Sequence, residues 1–212
     1  MKMKKLLFLV VAIFLESSGF AQTISSGEIS LFQTTKIKPK KVLEISENHY
    51  FIDFGKAAFG TVLLIFKTPI KDSLIIHLGE KLVNDSSIDR NPEGSIRYNK
   101  VIINEVPSVN TEYVVKLQPV LRHTKYPAIA LPDTFGVITP FRYCEIENLS
   151  IPISDIIVYQ KVYNYRFNDN SSDFTCSDTV LNQVWEMCKH TVKATSFCGL
   201  YIDGERERAP YE

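Results

Sequence analysis

The sequence predicts a mostly β protein: an antiparallel, jelly-roll-like β-sandwich followed by the first helices of an α-helical domain. Short runs of β-branched and aromatic residues, bounded by turn residues, recur between positions 50 and 165. Such runs are typical of antiparallel strands packed as a sandwich. Amphipathic helical periodicity begins only after position 169.

The first 21 residues resemble a secretory signal peptide in their order of charge, apolarity and small residues. Lysines open the chain, residues 6–15 are an apolar run, and Gly19 and Ala21 stand at the −3 and −1 positions of a cleavage site. The run is too short to cross a bilayer. We therefore expect an exported protein, periplasmic or secreted, with no membrane partner.

Composition excludes some partners and offers little metal chemistry. Lys plus Arg number 24 and so do Asp plus Glu, so nothing favours a nucleic-acid partner. The cysteines lack the paired spacing of a zinc site, and buried free thiols are expected, although oxidation could pair them in three ways. The histidines are scattered and are interpreted as core or surface residues. No metal and no cofactor is predicted; the cysteines and histidines concerned are Cys144, Cys176, Cys188, Cys198, His49, His77, His123 and His190.

The predicted organisation after the signal peptide has three parts. Residues 22–43 are a polar, extended lead-in, residues 44–168 the sandwich, and residues 169–212 the start of the α-helical domain. The polar segment 84–99 is a long loop, which favours a binding role. Strands are predicted at 51–54, 61–67, 74–78, 112–117, 128–131, 141–147 and 156–163.

One amphipathic helix is predicted near the end of the chain. Ser177 or Asp178 is a suitable N-cap. The apolar positions that follow share one helical face, so Trp185 and Cys188 are expected in a core; the face comprises Leu181, Val184, Trp185, Cys188 and Val192. A single helix cannot bury such a stripe, so partner helices are expected.

The stretch 201–212 reads Y-I-D-G-E-R-E-R-A-P-Y-E and is dense in charge. It could be a solvated, salt-bridged turn. Alternatively, Arg206 and Arg208 could hold carboxylates in fixed geometry by bidentate hydrogen bonds, forming an acidic site. The residues alone leave both interpretations open.

Several motifs together resemble a known enzyme family. F-T-C-S-D-T-V-L-N-Q-V-W at 174–185 and D-G-E-R-E-R-A-P-Y at 203–211 are similar to the beginning of the catalytic domain of glycoside hydrolase family 78, the α-L-rhamnosidases. F-I-D-F-G-K-A-A-F-G-T-V-L-L, L-G-E-K-L and T-P-F-R-Y-C-E-I-E-N resemble the sandwich module that precedes the (α/α)6 barrel of that family. The resemblance covers residues 50–212 and implies that 169–212 begins a truncated barrel.

The resemblance also implies a chemistry and roles for four residues. The family inverts configuration with two carboxylates, one protonating the leaving oxygen and one activating water. Glu207 matches the general acid, while Asp203, Arg206 and Glu205 match substrate-binding positions. The general base belongs to a later part of the barrel, so this chain alone is expected to be inactive. The implied partner is a rhamnose-containing glycan or glycoside; the alternative is a non-catalytic carbohydrate-binding sandwich.

Overall fold

Strands are the main secondary structure of the described residues, as the sequence predicts. This computed structural model describes residues 32–104, 108–118, 135–197, 200–203 and 209–210, with side chains as far as Ser196. The strands before the helix are, in chain order, β1 (Phe32–Ile37), β2 (Lys41–Ser46), β3 (His49–Phe66), β4 (Leu74–Gly79), β5 (Leu82–Asn84), β6 (Ser87–Ile88), β7 (Tyr98–Ile103), β8 (Tyr113–Val114), β9 (Thr139–Glu147) and β10 (Ile156–Tyr165).

Eight of these strands form one antiparallel sheet. Its order is β1-β10-β3-β9-β4-β7, with β2 and β8 also paired to β3, while β5 and β6 pair only with each other. β2 pairs with the first half of β3, β10 and β8 pair with its second half, and β9 pairs with residues of both halves. One long strand therefore joins most of the sheet. The antiparallel β architecture predicted from the sequence is confirmed.

A bend in β3 allows it to serve two sets of neighbours. Its register with β9 shifts between Asp53 and Ala58. Gly55 lies in this bend at φ 88°, a backbone angle that favours glycine, and its N–H donates to the Asp53 carboxylate at 2.6 Å. At Gly60 a Cβ atom would lie 2.0 Å from the Lys161 carbonyl oxygen, so the close approach of β10 requires glycine there.

The core lies on one face of the sheet and follows the alternation of the strands. Core residues occupy every second position of β4 and of both ends of β3, and Cys144 and Ile146 continue this pattern in β9, whereas the intervening residues point to the opposite face. The Cys144 thiol belongs to this core and is free, as predicted. Burial raises its pKa well above the usual thiol range. Central core residues are Ile52, Phe54, Leu64, Phe66, Ile76, Leu78, Phe141 and Ile146.

The described part of the predicted lead-in belongs to the sheet. β1 pairs with β10 along its whole length, and β2 pairs with β3. The Phe32 ring packs edge-on against Phe135 and Tyr165, with centroid distances of 5.3 and 6.2 Å. Because β10 offers a free edge and this arm supplies an aromatic anchor, the segment is held as a strand. Among the described residues, the sheet therefore includes 32–37 and 41–43 of the predicted lead-in.

Other predicted strands differ in extent. Within the predicted strand 112–117, β8 covers Tyr113–Val114, and the next N–H, of Val115, donates to the Val62 carbonyl of β3 at 2.9 Å. The predicted loop 84–99 contains the short strand β6, which folds back on β5. The predicted strand 128–131 lies outside the described residues.

The predicted helix is present as α1 (Thr179–Ala194). Asp178 is its N-cap, because its carboxylate accepts the N–H groups of Val180 and Leu181 at 2.8 and 3.3 Å. Asn182 holds the preceding loop by two 2.9 Å hydrogen bonds with the backbone of Cys176. Of the described residues, no helix is long and apolar enough to cross a membrane.

The apolar face of α1 is largely uncovered. Leu181 is 50% exposed and Val184 is 43% exposed, and the helix contains no buried residue. Trp185 is half-buried and Cys188 is exposed, so the expectation that both are core residues is wrong for the described structure. Phe174 packs against the Trp185 ring, with centroids 5.8 Å apart, but Leu181 and Val184 stay exposed. Cys176 and Cys188 are free but not buried, while Cys198 lies outside the described residues.

Short strands follow the helix. They are β11 (Ser196–Phe197), β12 (Leu200–Asp203) and β13 (Ala209–Pro210), paired in that order as a small antiparallel sheet. The described residues thus contain one helix after position 169, and the (α/α)6 barrel stays a prediction.

Candidate functional site

Of the predicted catalytic motif at 203–211, only residues 203, 209 and 210 lie among the described residues. The backbone of Asp203 ends β12 and pairs with Ala209 of β13. Glu205, Arg206 and Glu207 lie outside the described residues. Their assigned roles therefore remain predictions.

The fold creates a second polar constellation on the sheet face opposite the core. Glu145 and Glu147 are two positions apart in β9, so both carboxylates point to this face, while Cys144 and Ile146 point to the core. Strand register then places a histidine beside each acid. His49 of β3 pairs with Glu147, and His77 of β4 pairs with Glu145.

The side chains of this constellation are in direct contact. His49 Nε2 lies 2.7 Å from Glu145 Oε2 and 3.7 Å from Glu147 Oε1. His77 Nε2 lies 3.1 Å from Glu147 Oε1. The Glu145 side chain has no solvent exposure, whereas those of His49 and Glu147 retain 22% and 30%. Glu145 is therefore buried at the base of the group, while His49 and Glu147 are accessible to solvent.

The segment after β6 covers the constellation and supplies its cation. Arg90 Nη2 donates to Glu145 Oε2 at 2.8 Å and to Glu147 Oε1 at 3.3 Å. The Ile88 N–H donates to Glu145 Oε1 at 2.6 Å. A buried carboxylate needs such compensation, because its desolvation otherwise costs several kcal/mol.

His77 is fixed from the other side by a tyrosine. Its Nδ1 lies 2.7 Å from the Tyr98 hydroxyl, and the two rings stack with centroids 6.0 Å apart. Burial, and then the nearby Arg90 guanidinium, hold the pKa of His77 below its usual range. His77 is therefore neutral at neutral pH, with one ring nitrogen held and the other facing the glutamates.

A cleft separates β3 and β9 from α1. Its volume is about 590 Å³, within the range of small-molecule sites. Arg142, Tyr143 and Glu80 line it from the sheet, and His190 and Met187 line it from the helix. An aromatic ring beside charged hydrogen-bonding groups is a combination that can hold a polar ring-shaped molecule.

Two charged groups give the cleft a fixed electrostatic character. Arg142 binds the Asp53 carboxylate through two hydrogen bonds of 2.8 Å, and its guanidinium lies 4.9 Å from the centroid of the Tyr143 ring. Burial raises the pKa of Glu80, although the Arg97 N–H donates to this carboxylate at 2.7 Å. The cleft is therefore lined by the Arg142 guanidinium, which Asp53 holds in place, and by the Glu80 carboxyl group, whose pKa is raised.

Comparison with solved structures finds the same fold in rhamnosidases. An α-L-rhamnosidase from Streptomyces avermitilis complexed with L-rhamnose matches with a TM-score of 0.56 and 15% identity over 84% of this chain. One from Dictyoglumus thermophilum matches with 0.55 and 17% over 82%, and a rhamnosidase from Klebsiella oxytoca with rhamnose bound matches with 0.52 and 13% over 84%. The resemblance to α-L-rhamnosidases is thus confirmed at the level of the fold.

The chain accounts for only a minor share of those proteins. It spans 15%, 17% and 38% of the three matched chains, in the order given. No family model matches the sequence, and no curated protein matches it.

The sequence interpretation missed the constellation on the sheet. The histidines look isolated in the sequence, because residues 49, 77, 90 and 145 are far apart in the chain and meet only through strand pairing and through the segment after β6. One local signal was available: Glu145 and Glu147 flank the apolar Ile146 at strand spacing, which predicts two acids on one face.

Proposed function

We propose that this chain is part of an exported glycoside hydrolase of family 78 that removes terminal α-L-rhamnose. The observation that carries the proposal is the fold likeness to three rhamnosidases over more than four fifths of the chain. The motif at 203–211 adds the chemistry, since it matches the family at the positions of the acid and its neighbours. The sheet is then a jelly-roll-like sandwich module, and α1 begins an (α/α)6 barrel.

In this proposal the reaction inverts configuration. Glu207 donates a proton to the glycosidic oxygen as the bond breaks, and a second carboxylate, outside the 212 residues, activates water on the opposite face of the sugar. Asp203, Arg206 and Glu205 hold the rhamnose. A general acid needs a raised pKa, so the site must bury Glu207 enough to offset the flanking Arg206 and Arg208.

A product analysis tests the proposal. The polypeptide encoded by the complete reading frame should release rhamnose from an aryl α-L-rhamnoside, and proton NMR at early times should show the β-anomer first, because inversion demands it. Early accumulation of the α-anomer contradicts the inverting mechanism. Absence of any hydrolysis of α-L-rhamnosides contradicts the activity itself.

The 212-residue chain by itself is proposed to be inactive. It spans at most 38% of the matched rhamnosidases, and inversion needs both carboxylates in one site. Purified 212-residue chain should therefore leave an aryl rhamnoside intact under conditions in which the complete polypeptide cleaves it.

A carbohydrate-binding module is the alternative function, and the cleft beside Arg142 and Tyr143 favours it. If this cleft holds a sugar, Tyr143→Ala should weaken binding of L-rhamnose, measured by NMR titration, by about tenfold, the effect of losing 1.4 kcal/mol of ring contact. Tyr159→Ala is the matched control, since Tyr159 is a half-exposed tyrosine on β10 away from the cleft.

A further inference from the structure

We propose that His49, Glu145 and Glu147 form a binding site for a divalent transition-metal cation of the zinc class, with Arg90 as its built-in competitor. This site lies on the sheet, is separate from the motif at 203–211, and does not rest on the proposed glycosidase activity.

Geometry supports the ligand set. The His49 nitrogen and one oxygen from each glutamate all lie within 4.8 Å of one another. His49 Nε2 is 2.7 Å from the Glu145 oxygen and 3.7 Å from the Glu147 oxygen. Tetrahedral Zn²⁺ with bonds of about 2.0–2.1 Å separates its ligands by about 3.3 Å. The two separations from His49 Nε2 each differ from this value by about half an ångström.

The donor types favour a borderline metal over calcium or magnesium. One imidazole nitrogen with two carboxylate oxygens is a mixed set of the kind that zinc and its neighbours accept. Calcium and magnesium prefer oxygen ligands throughout. Two carboxylates carry two negative charges, which a divalent ion neutralises and a single guanidinium does not.

His77 positions the second carboxylate of the ligand set. This residue is only 4% exposed. Its Nδ1 lies 2.7 Å from the Tyr98 hydroxyl and its Nε2 lies 3.1 Å from Glu147 Oε1, so the neutral ring can accept from the hydroxyl and donate to the carboxylate. Ligating carboxylates at metal sites are commonly held by such outer hydrogen bonds.

Arg90 contacts the same two oxygens that the metal would use. Its Nη2 bridges Glu145 Oε2 and Glu147 Oε1 at 2.8 and 3.3 Å. The Arg90 side chain is 35% exposed, so it has a route to solvent. Metal and guanidinium therefore exclude each other, and removing the guanidinium should favour the metal.

The test is calorimetric titration of the tag-free chain with Zn²⁺, with circular dichroism to check folding. We expect one saturable site. His49→Ala and Glu147→Gln, both at partly exposed positions, should weaken it by at least about tenfold, and Arg90→Ala should tighten it severalfold. His190→Ala is the histidine control and should leave the affinity unchanged, because His190 lies on α1, where its Nε2 hydrogen-bonds the Ala57 carbonyl oxygen.

Cobalt supplies a second readout. Co²⁺ in a tetrahedral site should give visible absorption in the unaltered chain, and His49→Ala should abolish it. The proposal is overturned if the unaltered chain shows no saturable Zn²⁺ binding, if His49→Ala binds as tightly as the unaltered chain, or if Arg90→Ala binds no more tightly.

Discussion

Arg142 clamps Asp53 with two parallel hydrogen bonds, each of 2.8 Å, and so ties the bend of β3 to the neighbouring strand β9. The same carboxylate accepts the Gly55 N–H at 2.6 Å. The Asp53 carboxylate therefore accepts hydrogen bonds both from the Arg142 guanidinium on β9 and from the backbone of the bend. Bidentate pairs of this kind are stronger than a single-point ion pair.

The first prediction concerns how the free energy of unfolding changes at acidic pH. Hydrogen bonding to Arg142 is the largest effect on Asp53 and holds its pKa below the usual carboxyl range. The ionised form is thus favoured in the folded state. Its contribution is present above the unfolded-state pKa of about 4 and is lost as pH falls through the lower folded pKa. Asp53→Asn should lower the free energy of unfolding at pH 7 by about 1–2 kcal/mol and flatten its pH dependence below pH 4.

Urea unfolding between pH 7 and pH 2.5 checks this. Glu112→Gln is the control, because Glu112 is an exposed acid paired with Lys36 at the surface. Equal slopes for Asp53→Asn and the unaltered chain below pH 4 would show that the clamp does not govern acid stability.

The second prediction has the opposite sign. Burial raises the pKa of Glu80, so the folded state favours its protonated form. Ionised Glu80 therefore costs stability above the folded pKa, and the cost disappears as pH falls below the unfolded pKa. Glu80→Gln keeps an oxygen acceptor for the Arg97 N–H and should raise the melting temperature at pH 7, with a smaller gain at pH 4. Glu186→Gln, on the exposed face of α1, should change neither value. A gain that grows on acidification would contradict the burial of the charge.

The third prediction contrasts the sheet with the helix. Phe141 is fully buried, so Phe141→Ala should cost about 3–5 kcal/mol of unfolding free energy. Leu181 is 50% exposed on α1, and Leu181→Ala should cost less than about 1 kcal/mol. Limited proteolysis should also cut between positions 166 and 212 before it cuts β3, β9 or β10. Equal resistance of both parts would show that the helix is as firmly held as the sheet.

Local patterns were enough to predict the strands and the helix. The runs of β-branched and aromatic residues at 61–67 and 141–147 each predict a strand that the structure contains. Asp178 as N-cap was equally visible. The continuity of β3 from His49 to Phe66 is harder to predict, since Gly55 resembles a strand end in the sequence. Its hydrogen bond to Asp53 shows that it lies in a bend within the strand.

Local sequence patterns do not predict the polar constellation, because its residues meet through long-range strand pairing. His49, Arg90 and Glu145 meet because β3 and β9 pair in one particular register and the segment after β6 folds over them. No periodicity records such a meeting. The lead-in shows the same limit: residues 32–37 are polar and look like a linker, but a free edge on β10 makes them a strand.

The last prediction concerns the proton donor in the complete rhamnosidase-like polypeptide. Asp203, Glu205 and Glu207 compete for this role. Glu207 is chosen because it follows Arg206 as the family's acid follows its arginine. A poor leaving group depends on proton donation, so Glu207→Gln should slow hydrolysis of a natural rhamnoside by about a hundredfold or more. An activated aryl rhamnoside, whose phenolate leaves without help, should suffer much less.

The other two acids supply the controls for that experiment. Asp203→Asn should reduce kcat/KM for both substrates by a similar factor, because a residue that holds the sugar serves every leaving group alike. Glu205→Gln should behave in the same way. The informative quantity is the ratio of the losses on the two substrates for each variant, since a folding defect lowers both equally and cancels from that ratio. If Glu205→Gln shows the leaving-group-dependent loss and Glu207→Gln does not, the general acid is Glu205 and the register of the motif is displaced by two residues.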